Sequence, residues 1–167
     1  MEFTSRLENF NTKLWTYHIK VPNAIARHFL EMGDKRVICH LNDAFEFQCA
    51  IMPAGDGVHF ININKKIRDQ LNLKEGSKIN VFLEKDTSEF GLPFPDEFKE
   101  VLKQDKKADG YFQKLTPGKQ RNLIYIIGQA KKTDARIQRS IIIADHLKNN
   151  SGKIDFRSLT KELQVNK

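Results

Sequence analysis

Residues 19–41 read IKVPNAIARHFLEMGDKRVICHL, and residues 61–83 read ININKKIRDQLNLKEGSKINVFL. The two stretches align at an offset of 42 residues, and apolar side chains recur at the same places. The aligned pairs are Ile19 and Ile61, Val21 and Ile63, Ile25 and Ile67, Phe29 and Leu71, Val37 and Ile79, Cys39 and Val81, and Leu41 and Leu83. Each copy is typical of a strand, a short helix, a glycine turn and a second strand, which is too small a unit to bury its own apolar face. The duplication therefore predicts two units that pack as one closed β-barrel with an internal two-fold axis.

Local patterns around the repeat give the remaining elements of this first half. Pro22 suits the first turn of a helix, Asn64 suits an N-cap, and Asp56-Gly57 favours a hairpin turn. Runs rich in β-branched and aromatic residues predict strands over 3–10, 13–21, 35–41, 45–52, 58–63 and 78–85. The fold class predicted from these patterns is α+β, with an N-terminal barrel domain over residues 1–90 that carries short capping helices.

The first half resembles a known family of folds. The runs VPNAIARHF, RVICHLND, FQCAIMPAGDG, FININKKIRDQL and EGSKINVFLEKD are similar to bacterial domains of unknown function that are grouped with AbrB, MazE and MraZ proteins as double-split β-barrels. The resemblance implies the fold, with no agreed activity. Because both halves of the barrel lie in one chain, we expect a barrel that can exist as a monomer.

Charge separates the two halves of the chain. Residues 1–90 contain twelve basic and twelve acidic residues, whereas residues 91–167 contain sixteen basic and nine acidic ones, so the second half carries the whole net charge of +7. The AbrB and MazE resemblance suggests DNA binding by the barrel, but a neutral barrel lacks the charge excess expected for neutralising phosphates, which disfavours this alternative. An anionic partner is instead expected at the second half. Within the barrel, Lys65, Lys66 and Arg68 are a weaker candidate contact, with a solvated helix face as the alternative.

The second half, residues 91–167, is predicted to be a small helical domain after a Gly- and Pro-rich linker over 87–95. A first helix opens at Pro95 and runs to a break near Asp109-Gly110. Thr116-Pro117 starts another helix, and Thr133 is expected to cap the next, in which Ile137, Ile141 and Ala144 lie on one side. A last helix, with Phe156, Leu159 and Leu163 on one face, is expected to dock on the others.

A basic stripe on the helix after Thr133 is the main candidate site. Lys132, Arg136 and Arg139 recur at spacings of four and three, which places them together on one helix face. Arg136 lies near the positive end of the helix dipole, where a cation is mildly unfavourable. It therefore has a partner elsewhere: a carboxylate of this chain, in an internal salt bridge, or an external anion.

This half also resembles a known family. The string YFQKLTPGKQRNLIYIIGQAKKTDARIQRSI is similar to the YdeI/OmpD-associated, or bacteriocin-protection, proteins. Their pattern falls here on Phe112, Leu115, Pro117, Ala130, Lys131, Arg136 and Arg139. With Lys131, the candidate anion or partner contacts become Lys131, Lys132, Arg136 and Arg139. The family's Glu-Thr-Arg appears here as Asp134-Ala135-Arg136, which keeps the acid and the arginine and loses a hydroxyl.

No pattern in the chain predicts catalysis, a cofactor or a metal. The five histidines lack the spacing of zinc ligands, and no phosphate loop or nucleophile elbow occurs. Cys39 and Cys49 lie in predicted strands without a C-x-x-C spacing and are interpreted as packing residues. With no signal-like or membrane-spanning apolar stretch, a soluble cytoplasmic protein is expected.

Three functions remain open from the residues and the resemblances. The first is a non-enzymatic interaction protein, connected with envelope stress or bacteriocin tolerance, whose helical half contacts a partner protein. The second is a nucleic-acid-binding regulator that uses the basic helical half, and the third is a barrel that binds a small ligand.

Overall fold

The structure is a computed structural model that describes residues 1–11, 16–33 and 35–165. It divides into two compact units, Met1–Gly91 and Leu92–Lys167. The first unit contains β1 (Glu2–Asn9), β2 (Tyr17–Val21), α1 (Asn23–Glu31), β3 (Arg36–Leu41), β4 (Phe45–Ala50), β5 (Met52–Gly55), β6 (Val58–Asn62), α2 (Lys65–Gln70) and β7 (Lys78–Lys85). The second contains α3 (Asp96–Gln104), α4 (Lys106–Gln113), α5 (Pro117–Gly128), α6 (Thr133–Asn149) and α7 (Phe156–Val165). The predicted α+β class, with strands first and helices after, is confirmed.

The first unit is a curled antiparallel sheet of seven strands in the order β4-β3-β7-β1-β2-β6-β5. A single predicted strand over 45–52 is observed as β4 and β5, with Ile51 between them. These two strands are the edges of the sheet, and no ladder between them is recorded in the described residues. The sheet is therefore observed as a half-barrel, and the closed barrel stays a prediction. The first three residues of the strand predicted over 13–21 lie outside the described residues.

The strand registers follow the sequence repeat. In the β2–β6 ladder Ile19 lies opposite Ile61, so each residue faces its own equivalent in the other copy. In the β3–β7 ladder Cys39 pairs with Leu83 and Leu41 pairs with Val81. Replacing each residue by its equivalent in the other copy, 42 residues away, turns the pair Cys39 and Leu83 into the pair Val81 and Leu41. Pairs that interchange in this way are the pattern of an internal two-fold axis.

The aligned apolar residues form the core of this unit. Both members of the pairs 19/61, 21/63, 37/79, 39/81 and 41/83 are buried. Asn64 caps α2 as predicted, since its side chain accepts a hydrogen bond of 3.0 Å from the Ile67 amide. Cys39 is a free, buried thiol, and a hydrogen bond with Cys49 together with burial raises the pKa of Cys39. Packing is the role that this environment supports.

The helical unit is built around α6, which contacts α3, α4, α5 and α7. Phe98 and Phe112 are fully buried and meet edge to face, with ring centroids 5.2 Å apart. Thr116 and Pro117 begin α5 as predicted. The predicted docking of the last helix is also observed: buried His146 on α6 lies with Nδ1 3.0 Å from the Glu162 carboxylate on α7.

Three details of the helical unit differ from the predictions. The predicted helix break near Asp109-Gly110 is wrong, because the break between α3 and α4 lies at Asp105. The Asp105 side chain caps the start of α4 by accepting a hydrogen bond of 3.0 Å from the Ala108 amide. Gly110 lies within α4 and is exposed, where a glycine weakens a helix without ending it. Thr133 is the first residue of α6 and Lys132 is the N-cap. Ile137 and Ile141 do not belong to a buried face, being 41% and 47% exposed.

Candidate interaction site

The four predicted contact residues lie where α5 connects to α6. Lys131 and Lys132 are exposed on the connection, whereas Arg136 and Arg139 are half-buried on α6. The two lysines present their charge to solvent, and the two arginines are turned toward groups of the protein itself.

Arg136 is satisfied by acceptors within its own unit. Its Nε donates to Glu97 Oε1 at 2.8 Å and its Nη2 lies 2.7 Å from the same oxygen. Nη1 donates to the carbonyls of Ala130 and Lys131, and Nη2 donates to Thr133 Oγ1. Four hydrogen bonds and one ion-pair contact therefore engage all three nitrogens of the guanidinium. The predicted internal salt bridge is confirmed, and these acceptors of Arg136 all belong to its own unit.

The contact between Arg136 and Glu97 shifts the pKa values of both side chains. The hydrogen bond from Arg136 holds the pKa of Glu97 below its ordinary value, and the hydrogen bond to Glu97 raises the pKa of Arg136. Glu97 lies in the first turn of α3, so the pair joins the beginning of α3 to the beginning of α6.

Arg139 also has an internal acceptor. Its Nη1 donates to the Ile126 carbonyl of α5 at 2.6 Å, so this hydrogen bond links α6 to α5. Of the four predicted residues, Lys131 and Lys132 are the exposed ones, and a role of all four as contacts of an anion or a partner stays a prediction.

The weaker cluster on α2 behaves in a similar way. Lys65 and Lys66 are exposed. Arg68 donates to the Ile63 carbonyl at 2.8 Å, and its guanidinium carbon lies 4.0 Å from the centre of the Tyr17 ring. This cation–π contact gives Arg68 a packing role in the first unit.

A groove that the sequence did not predict runs between α3 and α6. It is an open groove of about 770 Å³, and its apolar lining, called the floor below, consists of Val101, Ile137, Ile141 and Ala144. Its polar lining, called the rim, consists of Glu97, Glu100, Gln104, Asp105, Lys106, Asp145 and Lys148. The sequence of α6 contains a signal that could have predicted the groove. The apolar residues of α6 form two faces, one with Ile137 and Ile141 and one with Ile143 and Leu147, and only the second is buried.

Ion pairs hold the two walls of the groove together at both ends. Glu97 and Arg136 join α3 to α6 at the first end, and Lys148 joins them at the other, with Nζ 2.6 Å from Asp105 and 2.9 Å from Asp145. The hydrogen bond from Lys148 lowers the pKa of Asp105, and the pKa of Lys148 is raised in turn. These contacts make the groove a formed feature of the fold.

Two titratable side chains outside the groove, His18 and Asp86, are held by packing and hydrogen bonds within the first unit. His18 is buried, stacks on Phe10 with ring centroids 3.5 Å apart, and has its pKa lowered by burial. Asp86 accepts hydrogen bonds from Gln48 and from both the amide and the hydroxyl of Ser88.

Within residues 1–11, 16–33 and 35–165, no group of three or more His, Cys, Asp or Glu residues could hold a metal ion. None of the helices in that part of the chain is long and apolar enough to cross a membrane.

Comparison with known families separates the chain at the same linker. Residues 3–83 match the family described as Domain of unknown function (DUF1905). Residues 92–150 match the family described as Bacteriocin-protection, YdeI or OmpD-Associated. No curated protein matches the chain. Both resemblances inferred from the residues are thus confirmed at the level of these families and in this order, while the grouping of the barrel with AbrB-like proteins stays a prediction.

Proposed function

We propose that the chain is a non-enzymatic interaction protein whose helical unit binds a segment of a partner polypeptide in the groove between α3 and α6. The observation that carries the proposal is the exposure of Ile137 and Ile141 side by side on the groove floor. Contiguous apolar surface rimmed by polar residues marks interaction sites, because covering it removes apolar area from water. The match to bacteriocin-protection proteins supports a role in bacteriocin tolerance or envelope stress. We further propose that the protein exercises this role in the cytoplasm of a bacterium.

Site-specific photo-crosslinking in cells tests this proposal. A benzoylphenylalanine placed at Ile141 is expected to give a discrete covalent adduct, identified by mass spectrometry, because the side chain lies on the groove floor. The matched control is the same substitution at Tyr125, which is 58% exposed on α5 and does not line the groove. Equal labelling at the two positions, or no adduct at position 141, would show that the groove is not an interaction site.

Nucleic-acid binding is the second candidate function, and one feature of the helical unit favours it. Residues 110–133 contain five cations and no acidic residue, and Lys131 and Lys132 are exposed at the end of this stretch. Phosphates would bind to these lysines, while Arg136 and Arg139 hold the connection in place.

Replacing Lys131 and Lys132 by alanine is expected to lower the salt concentration at which the protein elutes from heparin. Loss of two phosphate contacts would reduce the slope of log affinity for DNA against log salt by about two. The control is the pair Lys153→Ala and Lys161→Ala, which removes the same charge from exposed positions near α7. Equal shifts for both double variants would indicate a diffuse charge effect, and no retention of the parent protein at low salt would exclude this function.

For the barrel unit we propose a closed, AbrB-like ring formed by one chain. Support comes from the edge strands β4 and β5, which are separated along the chain by Ile51 alone, so the two ends of the sheet are covalently joined. The interior is filled by the side chains of the core. A small ligand would therefore bind at the surface, where a cleft of about 290 Å³ is lined by residues of β1 and β7 together with Asp43.

A further inference from the structure

The groove between α3 and α6 carries charge of the opposite sign to the unit that contains it. Its lining holds four carboxylates and two lysines, and Arg136 neutralises one of the carboxylates, which leaves a net charge of −1, whereas residues 91–167 carry +7. The carboxylates are Glu97, Glu100, Asp105 and Asp145, and the lysines are Lys106 and Lys148. An acidic groove in a basic unit selects against anionic partners and favours cationic ones.

The unneutralised negative charge lies on both walls. Arg136 neutralises Glu97, but Lys148 is a single cation between the two carboxylates of Asp105 and Asp145. On the α3 wall, the Glu100 side chain is 56% exposed, and Lys103 reaches it only at 3.9 Å in an exposed pair that contributes little. A cation from a partner could therefore reach Glu100 on one side and Asp145 on the other.

The exposed part of the apolar floor has the length of about one helical turn. Ile137 and Ile141 are exposed and lie four residues apart, which is about 6 Å at 1.5 Å per residue, whereas Ala144 is buried. A partner helix with apolar residues at i and at i+3 or i+4 would match this length, which is the usual way an amphipathic helix occupies a groove.

We propose that the occupant of the groove is a cationic amphipathic helix of the partner. Its apolar side chains cover Ile137 and Ile141, and its lysines or arginines lie beside Glu100 and Asp145. This inference rests on the proposed function of the groove and adds the chemical class of the partner segment.

Two designed peptides test the inference with the full chain. One is a labelled helix of about four turns with leucines at the stated spacing and lysines on both flanks, and the other has glutamate in place of every lysine. By fluorescence anisotropy at low salt, the lysine peptide is expected to bind at least about tenfold more tightly, and added salt should narrow the difference. Glu100→Lys should weaken binding of the lysine peptide by about three- to tenfold, whereas Glu31→Lys, an exposed change of equal charge in the barrel unit, should leave it unchanged. Circular dichroism checks that both variants keep their helical content.

The outcomes separate this inference from the proposed function. Equal binding of the two peptides, or equal effects of the two variants, would overturn the cationic partner and leave the groove as an apolar docking site. If neither peptide binds, the cationic helix is wrong. Crosslinking at position 141 then decides independently whether the groove binds a polypeptide at all.

Discussion

Phe112→Ala is expected to lower the free energy of unfolding of the helical unit by about 3–5 kcal/mol, the usual cost of truncating a buried phenylalanine to alanine. Phe112 is fully buried on α4 and its ring meets that of Phe98 edge to face. The substitution removes the apolar area and the aromatic contact and leaves a cavity between α3 and α4. The backbone carbonyl of Phe112, which accepts a hydrogen bond from the buried Gln120 amide at 3.1 Å, is kept.

Hydrogen exchange followed by mass spectrometry measures this effect in each unit. Protection should fall in peptides from residues 92–165 and stay unchanged in peptides from residues 1–91, since the two units have separate cores. Tyr125→Ala, at a side chain that is 58% exposed, is the control and should change stability by less than about 0.5 kcal/mol. A similar loss of protection for both variants would contradict the assignment of Phe112 to the core.

The repeat was predictable from the sequence because burial and pairing both follow its period. Ile19 and Ile61 are apolar in each copy, and the structure places them opposite each other in one ladder. Within each copy, the alternation of apolar and polar residues along a strand determines which side chains enter the core.

The interaction site was only partly predictable, because its decisive contacts join residues far apart in the chain. The spacing of α6 identified Arg136 as a cation in need of a partner, but Glu97 lies 39 residues earlier. Similarly, the pattern marks Ile137 and Ile141 as apolar without showing which neighbour covers them. Ile137, Ile141 and Ala144 all line the groove, but Ala144 is buried while the two isoleucines are exposed, and this difference depends on the packing of the helices.

The internal symmetry makes a second quantitative prediction, for Leu7 and Ile51. Along β1, residues up to Arg6 pair with β7, and residues from Leu7 onward pair with β2. The chain through β4 and β5 makes the same change of partner at Ile51, from β3 to β6. The Leu7 amide donates to the Ser77 carbonyl and the Ile51 amide donates to the Lys35 carbonyl, each at 3.0 Å. Lys35 and Ser77 are 42 residues apart, which is the period of the repeat. Leu7 and Ile51, although 44 residues apart, therefore occupy equivalent places in the fold.

Leu7→Ala and Ile51→Ala are therefore expected to cost the barrel unit similar amounts, about 2–5 kcal/mol each. Both side chains are buried, at 0% and 3% exposure, although Ile51 lies between two strands and would be taken for a linker residue. Urea unfolding with hydrogen exchange of residues 1–91 measures the two costs, and Met32→Ala, at a side chain that is 60% exposed, should change stability by less than about 0.5 kcal/mol. A loss for Ile51→Ala as small as that of the control would mean that Ile51 only connects β4 to β5, and the closed ring proposed for this unit would then be wrong. A loss equal to that of Leu7→Ala would support the proposal that the two edges of the sheet meet around a buried side chain, as the duplicated sequence predicts.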